Sequence, residues 1–216
     1  MTQSRFEHGS ENNEMELFKL SLEYLEGCKD FKGIKNLIEK YDKIKTNKED
    51  MQHPNKDILV KFKDTTKPII MELQQSSIDD FRKYGDIRLD YVSAYIPYIK
   101  IWGGLKNFNK KINNKEITIN KWGKLKECDA DILIYVICEY ENNTKTYKNV
   151  DKILILDIEE LQNHLNYWEN TYGYNLKTNN KKDEYWGSAF IPIPENDEVL
   201  QQCKIRSLQD LKTKFL

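Results

Sequence analysis

The sequence predicts a mixed α+β domain built on a central β-sheet of about five or six strands flanked by helices. Three observations predict it. Apolar residues recur at helical spacing between Glu14 and Tyr41. Two runs of strand character, Ile58–Phe62 and Ile69–Gln74, flank a polar turn. Asp131–Cys138 is a nearly continuous apolar run, as a central strand buried on both faces is, and Ile153–Leu156 is a further strand.

Taken in order, residues 1–13 are polar and are expected to fray, which leaves 14–216 as a single domain. Leu17, Leu20, Tyr24 and Cys28 mark one face of a first helix that ends near Gly27. Asp30 can cap a second helix carrying Ile34, Leu37, Ile38 and Tyr41. Residues 42–56, lysine-rich and ending in His53-Pro54-Asn55, read as a loop. Ile58–Phe62, the turn Lys63–Pro68 and Ile69–Gln74 form a hairpin. Ser77–Lys83 reads as a short helix or turn, which Ser77 and Asp79 or Asp80 can cap, and Gly85–Val92 alternates as a strand. Gly103-Gly104 break the chain, and Asn107–Asn120 reads as a long loop or peripheral hairpin. Asp131–Cys138 is the central strand. Ile153–Leu156 follows, then a helix through Leu161, Leu165 and Trp168. Ala189–Ile193 contains Pro192 and is therefore expected at an edge, and a helix over Leu208–Phe215 closes the domain.

Composition limits the function. The 216 residues fit one large domain, and a 39% hydrophobic share can fill a core. With a net charge of −1, the whole-molecule field does not mark a nucleic-acid binder, so any basic surface must be local. Cys28, Cys128, Cys138 and Cys203 form no CxxC pair, and His8, His53 and His164 are scattered, which argues against a zinc site. Isolated cysteines of this kind read as reduced thiols in a reducing, cytoplasmic compartment. Met1–Ser10 has no apolar core and is not read as a signal peptide, and no apolar run nears the ~18 residues of a membrane span. There is no glycine-rich phosphate loop, nucleophile elbow or histidine dyad.

The acidic residues around the hairpin are more informative. Ile70, Glu72 and Gln74 share one face of the return strand, and Met71 and Leu73 the other. If the turn centres on Thr65-Thr66, Asp57 falls across from Gln74, and Asp64 sits at the turn. On the next strand Asp86, Arg88 and Asp90 alternate with Ile87 and Leu89. Carboxylates on neighbouring strands repel unless a cation or protons neutralise them. Magnesium takes one or two carboxylates plus waters and phosphate oxygens, and it can activate a water against a phosphodiester. The same residues also fit a solvated face with ion pairs such as Glu72–Arg88, worth under about 1 kcal/mol each. Both readings stay open on spacing alone.

Glu72-Leu73-Gln74, then Gly85-Asp86-Ile87-Arg88-Leu89-Asp90, then Trp122-Gly123-Lys124-Leu125 and Ala130-Asp131-Ile132-Leu133-Ile134-Tyr135 occur in an order that resembles the PD-(D/E)XK, or restriction-endonuclease-like, nuclease superfamily over roughly residues 55–165. The resemblance implies a DNA endonuclease of a restriction, repair or mobile-element kind. It would depend on Mg2+ or Mn2+ and act on DNA, double-stranded by preference. Its catalytic set would be Asp57, Asp64, Glu72 and Gln74, with Asp57 or Asp64 as the first acid, and its metal ligands Asp57, Glu72 and Asp90. Gln74 stands where the family usually has lysine, which fits some active members and also a catalytically inactive, nucleic-acid-binding relative. Lys121, Lys124 and Lys126 around Trp122-Gly123 would then contact phosphates, with Trp122 stacking a base or seating its loop on the core. A third reading is a protein-interaction module using Trp168, Tyr172, Tyr185 and Trp186, and a homodimer is compatible with any of the three.

Overall fold

A computed structural model describes residues 11–44, 58–63, 65–141, 146–180 and 186–215. The elements in chain order are α1 (Glu11–Gly27), α2 (Ile34–Leu37), β1 (Ile38–Lys43), β2 (Ile58–Phe62), β3 (Ile69–Ser77), α3 (Ile78–Tyr84), β4 (Asp86–Ile96), α4 (Gly104–Asn113), β5 (Thr118–Trp122), β6 (Ile132–Glu141) and β7 (Thr146–Asp157). They continue with α5 (Ile158–Asn163), α6 (Leu165–Tyr172), β8 (Lys177–Asn180), β9 (Gly187–Pro194), α7 (Glu198–Gln202) and α8 (Leu208–Phe215). The mixed α+β class holds, with a five-stranded mixed sheet flanked by helices. A second, four-stranded sheet accompanies it. The chain divides into two compact units, one around each sheet.

The five-stranded unit draws its described residues from 11–84, 129–158 and 203–215. Its strand order is β1-β2-β3-β6-β7, antiparallel except for the parallel pair β3 and β6. β6 is paired on both sides, and Ile132–Cys138 are all buried, as their unbroken apolar character requires. Ile58, Val60, Met71, Leu73, Ile132, Ile134 and Val136 form a core with Leu17, Phe18, Leu22 and Leu25 of α1. The buried stripe of α1 keeps Leu17 but turns toward Phe18, Leu22 and Leu25, which are also helically spaced, and leaves the expected Leu20, Tyr24 and Cys28 half-buried at its margin. Burial pushes the Cys138 thiol up to about 12, so on β6 it acts as a small apolar group.

The expected second helix is a correction. Gly33 adopts a left-handed conformation (φ 91°), and the Glu26 carboxylate accepts from the Gly33 and Lys35 N–H groups at 3.0 and 3.2 Å. The helix therefore starts at Ile34 rather than at an Asp30 cap. It stops at Leu37, and Ile38–Lys43 pairs with β2 instead. Tyr41 meets Phe18 edge-on at 5.1 Å, so it still reaches the same core. The hairpin stands with a different register. Ile58 faces Met71, two residues from the partner that a Thr65-Thr66 centre implies.

The four-stranded unit draws its described residues from 85–128, 159–180 and 186–202, with strand order β5-β4-β9-β8 and every pair antiparallel. β9 is not simply an edge strand, since β4 and β8 pair with its two sides. β8 covers only Gly187–Phe190, however, so Pro192 has a strand neighbour on one side only, Arg88 of β4. The segment expected as a loop at Asn107–Asn120 contains most of α4, whose Leu105 and Phe108 are buried, followed by β5. Asp197 closes the unit. Its Oδ1 accepts from the Leu200 N–H at 2.9 Å, and its Oδ2 accepts from the Tyr167 and Tyr172 hydroxyls at 2.8 and 2.6 Å.

Burial pushes the Asp197 carboxyl up, but these donors outweigh it and hold its pKa below the usual range. A depressed folded pKa contributes stability above the unfolded value of about 3.9 and loses it as pH falls through the folded value. Asp197→Ala is expected to cost about 2–3 kcal/mol near pH 7 by stranding three donors. That difference should shrink steadily below about pH 4, as read by urea unfolding of both proteins across pH.

Among the described residues, no helix is long and apolar enough to cross a membrane.

Candidate functional site

β3 is an inner strand of the five-stranded sheet, between β2 and β6. Pleating sends Met71 and Leu73 into the α1 core and Glu72 and Gln74 to the opposite face. That face is not a solvated one at Glu72, which is only 3% exposed. In the parallel ladder Glu72 lies beside Leu133 and Gln74 beside Tyr135, both of them buried. Gln74 is half-buried. Asp131, from the Ala-Asp-apolar stretch, is exposed and performs a structural task. Its carboxylate accepts from the Ile70 N–H at 2.7 Å while its own N–H donates to the Ile70 carbonyl at 2.9 Å, closing the start of the parallel ladder.

The other expected site residues fall into two groups. Asp57 and Asp64 lie outside the described residues. Asp90 lies on β4, in the four-stranded sheet, not on a strand adjoining β3. There its carboxylate is 3.6 Å from Lys124 Nζ, whose side chain is 11% exposed. Magnesium takes hard oxygen donors, and Glu72 carries a buried carboxylate, a group of that chemical type. Among the described residues, no three His, Cys, Asp or Glu side chains group closely enough to hold a metal, so the fit at Glu72 turns on Asp57 and Asp64.

The lysine-flanked turn at Trp122-Gly123 is built tightly onto β4. The Gly123 and Leu125 N–H groups donate to the Tyr91 and Asp90 carbonyls at 3.0 and 3.1 Å. Lys126 sits over the Trp122 ring at 4.0 Å and the Tyr91 ring at 4.6 Å, 3.4 Å from Glu169. Tyr91 donates its hydroxyl to Glu169 at 2.5 Å, and burial followed by that carboxylate holds the hydroxyl far above its ordinary pKa. Trp122 meets Tyr91 edge-on at 5.8 Å, which seats the turn. Of the three lysines expected to contact phosphates, Lys124 and Lys126 are thus held beside carboxylates, and Lys121 is half-buried on β5.

The aromatic residues weighed as an interaction surface are differently placed. Trp168 is fully buried and Tyr172 is bonded to Asp197. Trp186 is half-buried, and Tyr185 lies outside the described residues. Among the described residues, the exposed large aromatics are instead Trp102, Tyr174 and Tyr84, at 72%, 69% and 53%. Sequence reasoning passed over them, although a tryptophan directly before Gly103-Gly104 is a signal that could have been used.

No protein-family model, curated protein or solved structure matches this chain.

Proposed function

We propose that the chain is a divalent-metal-dependent endonuclease acting on DNA, with Glu72 as the carboxylate that holds the cation. The burial of Glu72 at 3% exposure on an inner strand supports this reading. A carboxylate at that depth, set on an inner strand, is a hard oxygen donor of the kind magnesium and manganese take. When bound, the metal would polarise a phosphodiester and lower the pKa of a water. Gln74, two residues on and on the same face, can donate to a phosphate oxygen or hold a water, but it carries no charge.

The test is plasmid nicking with magnesium or manganese. Glu72→Gln keeps the shape and removes the charge. It is expected to slow cleavage at least about a hundredfold, equivalent to ~2.7 kcal/mol, while DNA binding persists. Absence of cleavage by the wild type with either metal, on single- and double-stranded substrates, overturns the reading. Two observations favour the second reading, nucleic-acid binding without hydrolysis. One is the neutral Gln74, and the other is the 3.6 Å approach of Lys124 to Asp90, which supplies that acid with a cation from the chain itself. Salt-sensitive DNA binding without cleavage, left unchanged by Glu72→Ala, would support that reading.

A further inference from the structure

We propose that a shallow groove of the four-stranded unit, between Lys100–Gly104 and Tyr174–Thr178, binds single-stranded nucleic acid by stacking bases on Trp102 and Tyr174. This inference is independent of the cleavage chemistry.

Both aromatic residues line the same groove, and at 72% and 69% exposure each keeps most of its ring in water. Two large aromatics exposed together need a reason, because isolated exposed apolar groups are ordinary but adjoining ones mark binding surfaces. The backbone that carries them is fixed. Gly103 and Gly104 both hold positive φ, at 83° and 69°. A Cβ on Gly104 would stand 2.3 Å from the Tyr174 carbonyl oxygen, so the loop lies directly on the Tyr174 backbone. The Asn107 side chain donates to the Trp102 carbonyl at 2.8 Å, and the Ile101 N–H donates to Thr178 Oγ1 at 3.3 Å. Ile101 and Leu176 are buried beneath. The backbone beneath the two rings is therefore preorganised, which confines the ordering cost for a ligand to the two exposed side chains.

The charge around the groove selects the occupant. Lys100 Nζ stands 4.3 Å from the Trp102 ring centroid, Lys177 lines the same groove, and none of the lining residues is acidic. Lys106 and Lys110 are exposed on α4, which starts at the groove. Of the lysines in 91–126, Lys124 and Lys126 are held by Asp90 and Glu169 and Lys111 by Glu116, so the basic charge offered here is that of Lys100 and Lys177 in the groove and Lys106 and Lys110 beside it. Exposed π-faces interleaved with ammonium groups match a strand whose bases are unstacked and whose phosphates are near. A duplex keeps its base faces stacked inside and cannot offer them to either ring.

The experiment measures fluorescence anisotropy of a labelled oligothymidylate of about 12 nucleotides with excess chelator, so no metal-dependent cleavage can occur. The wild type is expected to bind it with strong salt dependence. Trp102→Ala and Tyr174→Ala should each weaken binding by about five- to a hundredfold. An abasic strand of equal length should bind the wild type as weakly as oligothymidylate binds Trp102→Ala. Equal affinity of wild type and both variants, or no binding at low salt, overturns the inference. So does self-association through this face that Trp102→Ala abolishes while no oligonucleotide binds, which would make the groove a protein contact. Failure here with intact plasmid cleavage sinks only this inference. Binding here with no cleavage anywhere sinks only the nuclease reading.

Discussion

Replacing Trp168 by alanine is expected to destabilise the four-stranded unit by about 3–5 kcal/mol, the range for emptying a buried aromatic site. Trp168 is fully buried on α6. Its indole N–H donates to the Leu161 carbonyl at 2.8 Å, tying α6 back to α5. Tyr167 meets it edge-on at 5.0 Å and His164 at 6.3 Å, so the cavity would be walled by rings that cannot collapse freely into it. Trp168→Phe separates the two contributions. It preserves most of the volume but leaves the Leu161 carbonyl without its donor, and should cost about 1–3 kcal/mol. Urea unfolding followed by circular dichroism reads both. A loss below about 1 kcal/mol for the alanine variant would mean that this ring does not anchor the unit.

What could be read from the sequence was local. The hairpin β2–β3, the helix α3, the strand β4 and the buried β6 each carry their period within a few residues. The Ser77 hydroxyl accepts from the Asp80 N–H at 3.1 Å, as its capping position implies. What could not be read was non-local. Ile34, Leu37, Ile38 and Tyr41 fit a helical stripe, and only pairing with β2 turns the chain into a strand at Ile38. β3 and β4 are consecutive strands separated by one short helix, the arrangement in which neighbours usually pair. Here β4 pairs with β5 and the distant β9, and no period in Asp86–Asp90 encodes that choice. Asp90 was for this reason expected beside Glu72, whereas it lies in another sheet and approaches Lys124. The depth of Glu72 was equally hidden, because Ile70-x-Glu72-x-Gln74 reads as a mixed face and burial depends on what covers it.

The second large effect is expected at Gly123, where an added methyl group has nowhere to go. A Cβ built there would stand 2.3 Å from the Asp90 carbonyl oxygen, 2.5 Å from its carbon and 2.9 Å from the Asp90 Cβ. Two of these three atoms are backbone atoms of an inner strand, so no rotamer change relieves the contact. The turn must lift off β4 and lose the hydrogen bonds from the Gly123 and Leu125 N–H groups. Gly123→Ala should therefore cost about 3 kcal/mol, at the upper end for overpacking. It should also release Lys124 from Asp90 and Lys126 from Tyr91 and Glu169, since the same turn carries both lysines. Gly85→Ala is the control. Gly85 has φ 64° but nothing within 4 Å of a built Cβ, so its substitution pays only for a left-handed alanine, about 1 kcal/mol. Thermal unfolding of the two variants side by side distinguishes steric exclusion from backbone strain. Gly123 has no left-handed φ, so equal losses would mean that the turn yields to the added methyl group at little cost, and that its seating on Asp90 does not demand glycine.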